Sequence, residues 1–152
     1  MNMEVGKTSV FEGHHSDWIS YIEDERKSHN HEKKSWVVYL PQGKDHIFSP
    51  IYNFALLHAM TDQNLKVHRG HGVIVAPEQE VGYHDHGDLF TFLYYIDPGD
   101  AFAPLYLEDR EIVPESGLYI SIEQRVKHGV RKNLGQKDRY SLAILMEVDN
   151  AS

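Results

Sequence analysis

The chain is expected to be a mainly β domain of the α+β class, a jelly roll with N-terminal helices packed on one outer face. Three observations predict this. From about residue 67 onward the sequence is a series of short β-prone segments separated by Gly and Pro turns. Before that point, two stretches carry apolar residues at helical spacing. No repeat, low-complexity segment or linker divides the two parts. With 152 residues, 41% of them hydrophobic and 25% charged, the chain suffices for one domain with a real core. One domain over 1–152 is therefore expected, with a helical buttress at about 14–66 and a β core at about 67–148.

The first helix is expected over Ser16 to His29. It follows a Ser-Asp start signal and carries Trp18, Ile19 and Ile22 on one side. Ser35 to Leu40 is a short strand candidate, stopped by Pro41. A second helix is expected over Tyr52 to Leu65, with Pro50 just before its start and Phe54, Leu57, His58 and Thr61 at helical spacing. His68-Arg69-Gly70-His71-Gly72 then reads as a flexible loop.

The β segments follow in order: Val73 to Ala76, Leu89 to Ile96, Phe102 to Leu107, Glu111 to Val113, Leu118 to Ile122, Val126 to Arg131 and Tyr140 to Val148. Turns at Asp97-Pro98-Gly99-Asp100 and Asn133-Leu134-Gly135-Gln136 punctuate them. Helices before such a set suggest a jelly roll buttressed on one side.

Composition narrows the function classes. A net charge of −8 argues against nucleic acid and anionic membrane as main partners. There is no cysteine, which excludes disulfides, thiolate metal sites and Cys nucleophiles. A cysteine-free chain agrees with a cytoplasmic location. Met1 to Phe11 lacks the apolar run of a signal peptide, and no segment approaches the length of a membrane span. Of the 11 histidines, His14, His15, His29, His31, His46 and His58 are expected at the surface.

His84, His86 and Asp88 fall at alternate positions in Tyr83-His84-Asp85-His86-Gly87-Asp88. Alternate positions on an extended chain share a face, so three metal-capable side chains project together. His128 lies in the alternating segment Val126-Lys127-His128-Gly129-Val130 and joins them only if the chain folds back. A catalytic metal needs about three protein ligands plus open positions, so one candidate is surplus. Two sets compete. His86, Asp88 and His128 make two imidazoles and a carboxylate. His84, His86 and His128 make an all-imidazole set, favoured by the short distance from Asp88 to the next strand. The plain alternative is a polar loop beside a core histidine.

Arg139 and Ser141 share one face of the last strand, while Leu142, Ile144 and Met146 take the other. An Arg on a face shared with Ala143 and Leu145 needs an anionic partner, because burying it alone is costly. A small dicarboxylate would supply one, gripped by the guanidinium fork with the Ser hydroxyl adding a further bond. The alternative is an exposed Arg paired loosely with Asp138.

Together these segments resemble the 2-oxoglutarate and iron(II)-dependent oxygenases, and among them the short bacterial and phage-type members related to prolyl hydroxylases. The likeness rests on His84-Asp85-His86-Gly87-Asp88, Leu93-Tyr94-Tyr95-Ile96-Asp97, Val113-Pro114-Glu115-Ser116-Gly117-Leu118-Tyr119-Ile120, His128-Gly129-Val130 and Arg139-Tyr140-Ser141-Leu142, taken in order. It covers about Gly72 to Val148. It implies a double-stranded β-helix. It also implies Fe(II) held by His86 with Asp88 or His84, and by His128. Arg139 and Ser141 would bind the distal carboxylate of 2-oxoglutarate, with Tyr95 donating to the same group. The implied activity is a hydroxylase that converts 2-oxoglutarate to succinate while oxidising an unknown substrate. Substrate would enter past the His68–Gly72 segment and the Pro98-Gly99-Asp100 turn.

Two other readings use the same residues. A cupin-like dioxygenase or metal-binding protein would employ His84, His86 and His128 without 2-oxoglutarate, leaving Arg139 without a duty. A non-enzymatic jelly-roll binding module would leave the histidines merely polar, with Tyr83, Phe90 and Phe92 as core or ligand platform.

Overall fold

A computed structural model describes residues 3–28, 35–43, 45–101, 103–108 and 110–150. In chain order the elements are β1 (Met3–Lys7), α1 (His15–Ser28), β2 (Ser35–Tyr39), α2 (Ser49–Leu57), β3 (Leu65–Val75), β4 (Val81–His84) and β5 (Phe90–Asp97). They continue with β6 (Leu105–Leu107), β7 (Arg110–Ile112), β8 (Leu118–Ile122), β9 (His128–Val130) and β10 (Arg139–Val148). The strands form two antiparallel sheets, β1-β8-β5-β10-β3-β2 and β4-β9-β6-β7. Among the described residues no helix is long and apolar enough to cross a membrane.

The larger sheet is buried on both faces, which explains why β5 and β10 are near-continuous apolar runs. On its outer face, α1, α2 and Phe48 just before α2 bury Trp18, Ile22, Phe48, Ile51 and Ala55 against Ile74, Phe92, Tyr94, Leu142 and Ile144. Trp18 and Ile22 sit one turn apart, so they enter the core together. The Trp18 indole donates to the Ile47 carbonyl at 2.8 Å and stacks on Phe48. On the inner face, Tyr95, Leu105, Ile120, Ile122 and Val130 fill the space between the sheets.

Several sequence expectations need correction. The second helix is Ser49–Leu57, not Tyr52 to Leu65. Leu57 is 83% exposed, and from Leu65 the chain pairs with β10 instead. The β core also extends upstream of residue 67, because β1 pairs with β8 and β2 with β3. The expected loop His68–Gly72 is strand interior. Its glycines serve close approach: a Cβ at Gly70 would lie 2.3 Å from the Tyr52 hydroxyl oxygen, and one at Gly72 2.6 Å from Ile22 Cγ1. His15 is not a surface residue, since its Nε2 lies 2.6 Å from the Tyr94 hydroxyl in a half-buried pair. His46 is only half-exposed, with Nδ1 accepting from the Phe48 N–H. His29, His31 and the first residue of the Phe102 segment lie outside the described residues.

A bulge sets which β3 residues face inward. Arg69 pairs with Leu145 and Val67 with Met146, so His68 is an extra residue in the ladder. Leu65 and Val67 consequently pack against the helix side. Arg69, His71 and Val73 share the opposite face with Leu145, Ala143 and Ser141.

Candidate metal centre

His84 ends β4 and His128 begins β9, and the two residues are direct cross-strand partners. His86 follows in the turn after β4. That turn is set by Gly87 at φ +61°, with the Asp85 carboxylate accepting from the Gly87 N–H at 2.8 Å. The result is a compact triad. Ring centroids of His84 and His86 are 4.9 Å apart, His84 and His128 4.7 Å, and His86 and His128 5.2 Å. One nitrogen from each lies within 4.8 Å of the others.

Two of the rings are oriented by backbone carbonyls. His84 Nδ1 lies 2.7 Å from the Gly82 oxygen, and His128 Nδ1 lies 3.1 Å from the Val126 oxygen. A carbonyl only accepts, so each Nδ1 carries the proton and each Nε2 offers its lone pair. Asp88 is placed elsewhere. Its exposed carboxylate forms an ion pair with Arg125, while the Gln124 amide donates to its carbonyl at 2.6 Å. The structure thus gathers three of the four candidate ligands and turns Asp88 to solvent.

Burial pushes the pKa of His128 down to about 4, with neighbouring His84 and His86 adding to the effect and the Val126 carbonyl opposing it. Burial lowers His86 to about 4 as well, helped by His84. Both are therefore neutral at neutral pH, the form in which an imidazole can bind a metal. The unfolded chain, with imidazoles near 6.5, binds more protons than the folded one between about 4 and 6.5. Stability from these groups is complete above 6.5 and drains away as pH falls towards 4. Thermal melts of the metal-free protein should show a loss on the order of 1–3 kcal/mol across that window, discounted for solvent reaching His86. Melts flat with pH would contradict it.

Across the cavity, Arg139 is 2% exposed and Ser141 4%. Arg139 therefore does not pair with Asp138, which binds Arg26 at 3.4 Å. The Arg139 Nη1 donates to the Ala103 carbonyl at 3.0 Å, and its Cζ lies 5.1 Å from the centroid of the Tyr95 ring. Its buried Nε has no partner, and it forms no ion pair among the described residues. Burial pulls the Arg139 pKa down, partly offset by Tyr95. Burial likewise raises the Tyr95 phenol. Ser141 is the cross-strand partner of Tyr95. A cavity of about 130 Å³ connects His84, His86 and His128 to Tyr95, Arg139 and Ser141.

The Pro98-Gly99-Asp100 turn, past which substrate is expected to enter, is tied down. The Asp100 carboxylate accepts from the Gln136 and Lys137 N–H groups at 3.0 and 3.2 Å. Sequence reasoning also missed residues. Arg69 and His71 alternate on β3, but their intervening glycines read as a loop. Tyr39 alternates with Val37 on β2 and was legible only as strand.

No protein-family model matches the sequence, and no curated protein matches it. Solved structures do match. HygX from Streptomyces hygroscopicus, with nickel and 2-oxoglutarate bound, superposes with a TM-score of 0.78 at 12% identity, over 98% of this chain and 83% of that one. A viral collagen prolyl hydroxylase from Paramecium bursaria Chlorella virus-1, in complex with 2-oxoglutarate, gives 0.74 at 10% identity over 99% and 97%. A prolyl-4-hydroxylase from Pseudomonas putida gives 0.71 at 12% identity over 98% and 94%. The chain has the double-stranded β-helix fold of 2-oxoglutarate oxygenases.

Proposed function

We propose that the protein is a 2-oxoglutarate- and Fe(II)-dependent oxygenase that hydroxylates a C–H bond of a substrate. The observation carrying this reading is the buried, carboxylate-free Arg139 in the same cavity as three converging imidazoles. Imidazole donors suit iron among the divalent metals, and three of them leave coordination positions for co-substrate and oxygen. Bound iron would couple decarboxylation of 2-oxoglutarate, giving succinate and carbon dioxide, to insertion of one oxygen atom into the substrate.

The chain's own residues would do the rest. His84, His86 and His128 hold the metal, with the Gly82 and Val126 carbonyls fixing two tautomers. Arg139 grips the far carboxylate of 2-oxoglutarate in a bidentate pair, satisfying its orphaned Nε. Ser141 and Tyr95 flank that carboxylate as hydroxyl donors. Leu93, Leu105 and Val130 line the cavity and exclude water, which strengthens each electrostatic contact.

The all-imidazole set also favours a second reading, a cupin-like dioxygenase that binds metal without 2-oxoglutarate. One titration separates them. Anaerobic protein receives Fe(II) and then 2-oxoglutarate, and the visible spectrum is followed. The weak charge-transfer band of the chelate is expected. Iron binding without that band would reject the oxygenase and leave the cupin-like reading. Binding of neither would leave only a binding module.

A further inference from the structure

Beyond the triad and Arg139, a second polar cluster that the proposed chemistry does not use adjoins the cavity through His71. His71 lines the cavity with the three clustered imidazoles. Its Nε2 is buried and has no hydrogen-bond partner. Arg69, two residues earlier on the same inward face, has a buried Nε that is likewise unpartnered, and it forms no ion pair among the described residues. Tyr39, paired with His71 on the sheet-edge strand β2, completes the cluster. Its ring centroid is 5.4 Å from that of His71 and 5.5 Å from the Arg69 Cζ. Val37, which lines the cavity beside His71, is 49% exposed and Tyr39 63%, so this cluster stands on the solvent side of the cavity.

We infer that Arg69, His71 and Tyr39 form the subsite for the molecule to be oxidised, and that this substrate carries an oxyanion, a carboxylate or a phosphate monoester. The word substrate rests on the oxygenase reading; the anion site itself does not. A buried guanidinium nitrogen without an acceptor is costly, and an oxyanion relieves it with a charge-assisted bond. The neighbouring imidazole supplies a second hydrogen-bonding group, and the Tyr39 face supports a flat or apolar body.

2-Oxoglutarate itself does not answer for both arginines. Arg139 is opposite Val75 and Arg69 opposite Leu145, six residues apart along the paired strands β10 and β3, which puts their backbones roughly 20 Å apart. A five-carbon diacid gripped by Arg139 leaves Arg69 unpaired. His71 lines the cavity that the metal triad borders, so an anion held between Arg69 and His71 would direct its carbon skeleton towards the metal.

The test uses anaerobic protein loaded with Fe(II) and 2-oxoglutarate, titrated calorimetrically with benzoate, phenyl phosphate and benzyl alcohol while the charge-transfer band is monitored. At least one anion should bind about tenfold or more tightly than the neutral alcohol. Arg69→Gln should weaken that anion by about tenfold or more, and Arg69→Lys should retain most of the preference. The band should persist throughout. The better anion identifies carboxylate or phosphate as the group recognised. Equal binding of the alcohol, or unchanged anion affinity in a folded Arg69→Gln protein, overturns the inference. So does an anion that abolishes the band by displacing 2-oxoglutarate. If wild type never develops the band, the oxygenase reading fails. The same titrations on metal-free protein then decide the anion site alone, which stands if binding depends on Arg69 and falls if it does not.

Discussion

Replacing Arg139 with Met should leave the protein without co-substrate at least as stable as wild type, and should remove its thermal response to 2-oxoglutarate. The two effects share one cause. Arg139 is 2% exposed, has one hydrogen bond to the Ala103 carbonyl, and keeps an unpartnered Nε. Withdrawing an ion from water costs several kcal/mol unless an opposite charge and good hydrogen bonds compensate. Here the backbone oxygen and the Tyr95 ring compensate only in part. Met has similar length and no charge, so it removes the penalty while filling the space. The penalty also makes the residue a good anion receptor, because the ligand arrives at a site already desolvated. Losing the bidentate pair should weaken 2-oxoglutarate by about 2–5 kcal/mol. At a ligand concentration about 100 times the dissociation constant, wild type gains roughly 2.7 kcal/mol from binding. Melts of both proteins with Fe(II), with and without 2-oxoglutarate, read this directly. Equal stabilisation of the two would remove Arg139 from the site.

The second large effect separates His84 from Asp88. His84→Ala should lower iron affinity by more than about 100-fold, since outer-shell partners alone cost about 10–100-fold. Asp88→Ala should leave affinity nearly unchanged and alter stability by no more than about 0.5 kcal/mol. The reason is placement. His84 is the cross-strand partner of His128 and has its Nδ1 held by the Gly82 carbonyl. The Asp88 side chain is 76% exposed and paired with Arg125 on the surface. Equilibrium dialysis against Fe(II) under nitrogen measures both. A large loss in Asp88→Ala with little in His84→Ala would mean that metal binding rearranges the turn around Gly87, and the all-imidazole set would be wrong.

Much of the arrangement was legible before any coordinates. Alternation placed Arg139 and Ser141 together on one face of β10, and they are together in the cavity. Trp18 and Ile22 at helical spacing marked the buttress, and both are fully buried. Two errors had physical causes. Phe54, Leu57 and Thr61 keep helical spacing past the end of α2, while Leu65 belongs to the pairing of β3 with β10. Arg69-Gly70-His71-Gly72 read as a loop because glycine usually signals flexibility. Here Gly70 and Gly72 instead admit Tyr52 and Ile22 against the strand.

By itself, the order of residues determined the alternating faces of β10, the helical buttress and the identity of four candidate metal ligands and of Arg139, because these depend on periods of two and 3.6 within short stretches. Only the tertiary structure decided which three of four candidate ligands converge, that Arg139 is sealed from water, and that His71 lines the cavity with Arg69 on the same face of β3. Those outcomes depend on pairing between distant strands and on a bulge at His68 that reverses which side of β3 looks inward. A single added residue in a ladder exchanges the two faces of a strand, and no local pattern in this segment announces it.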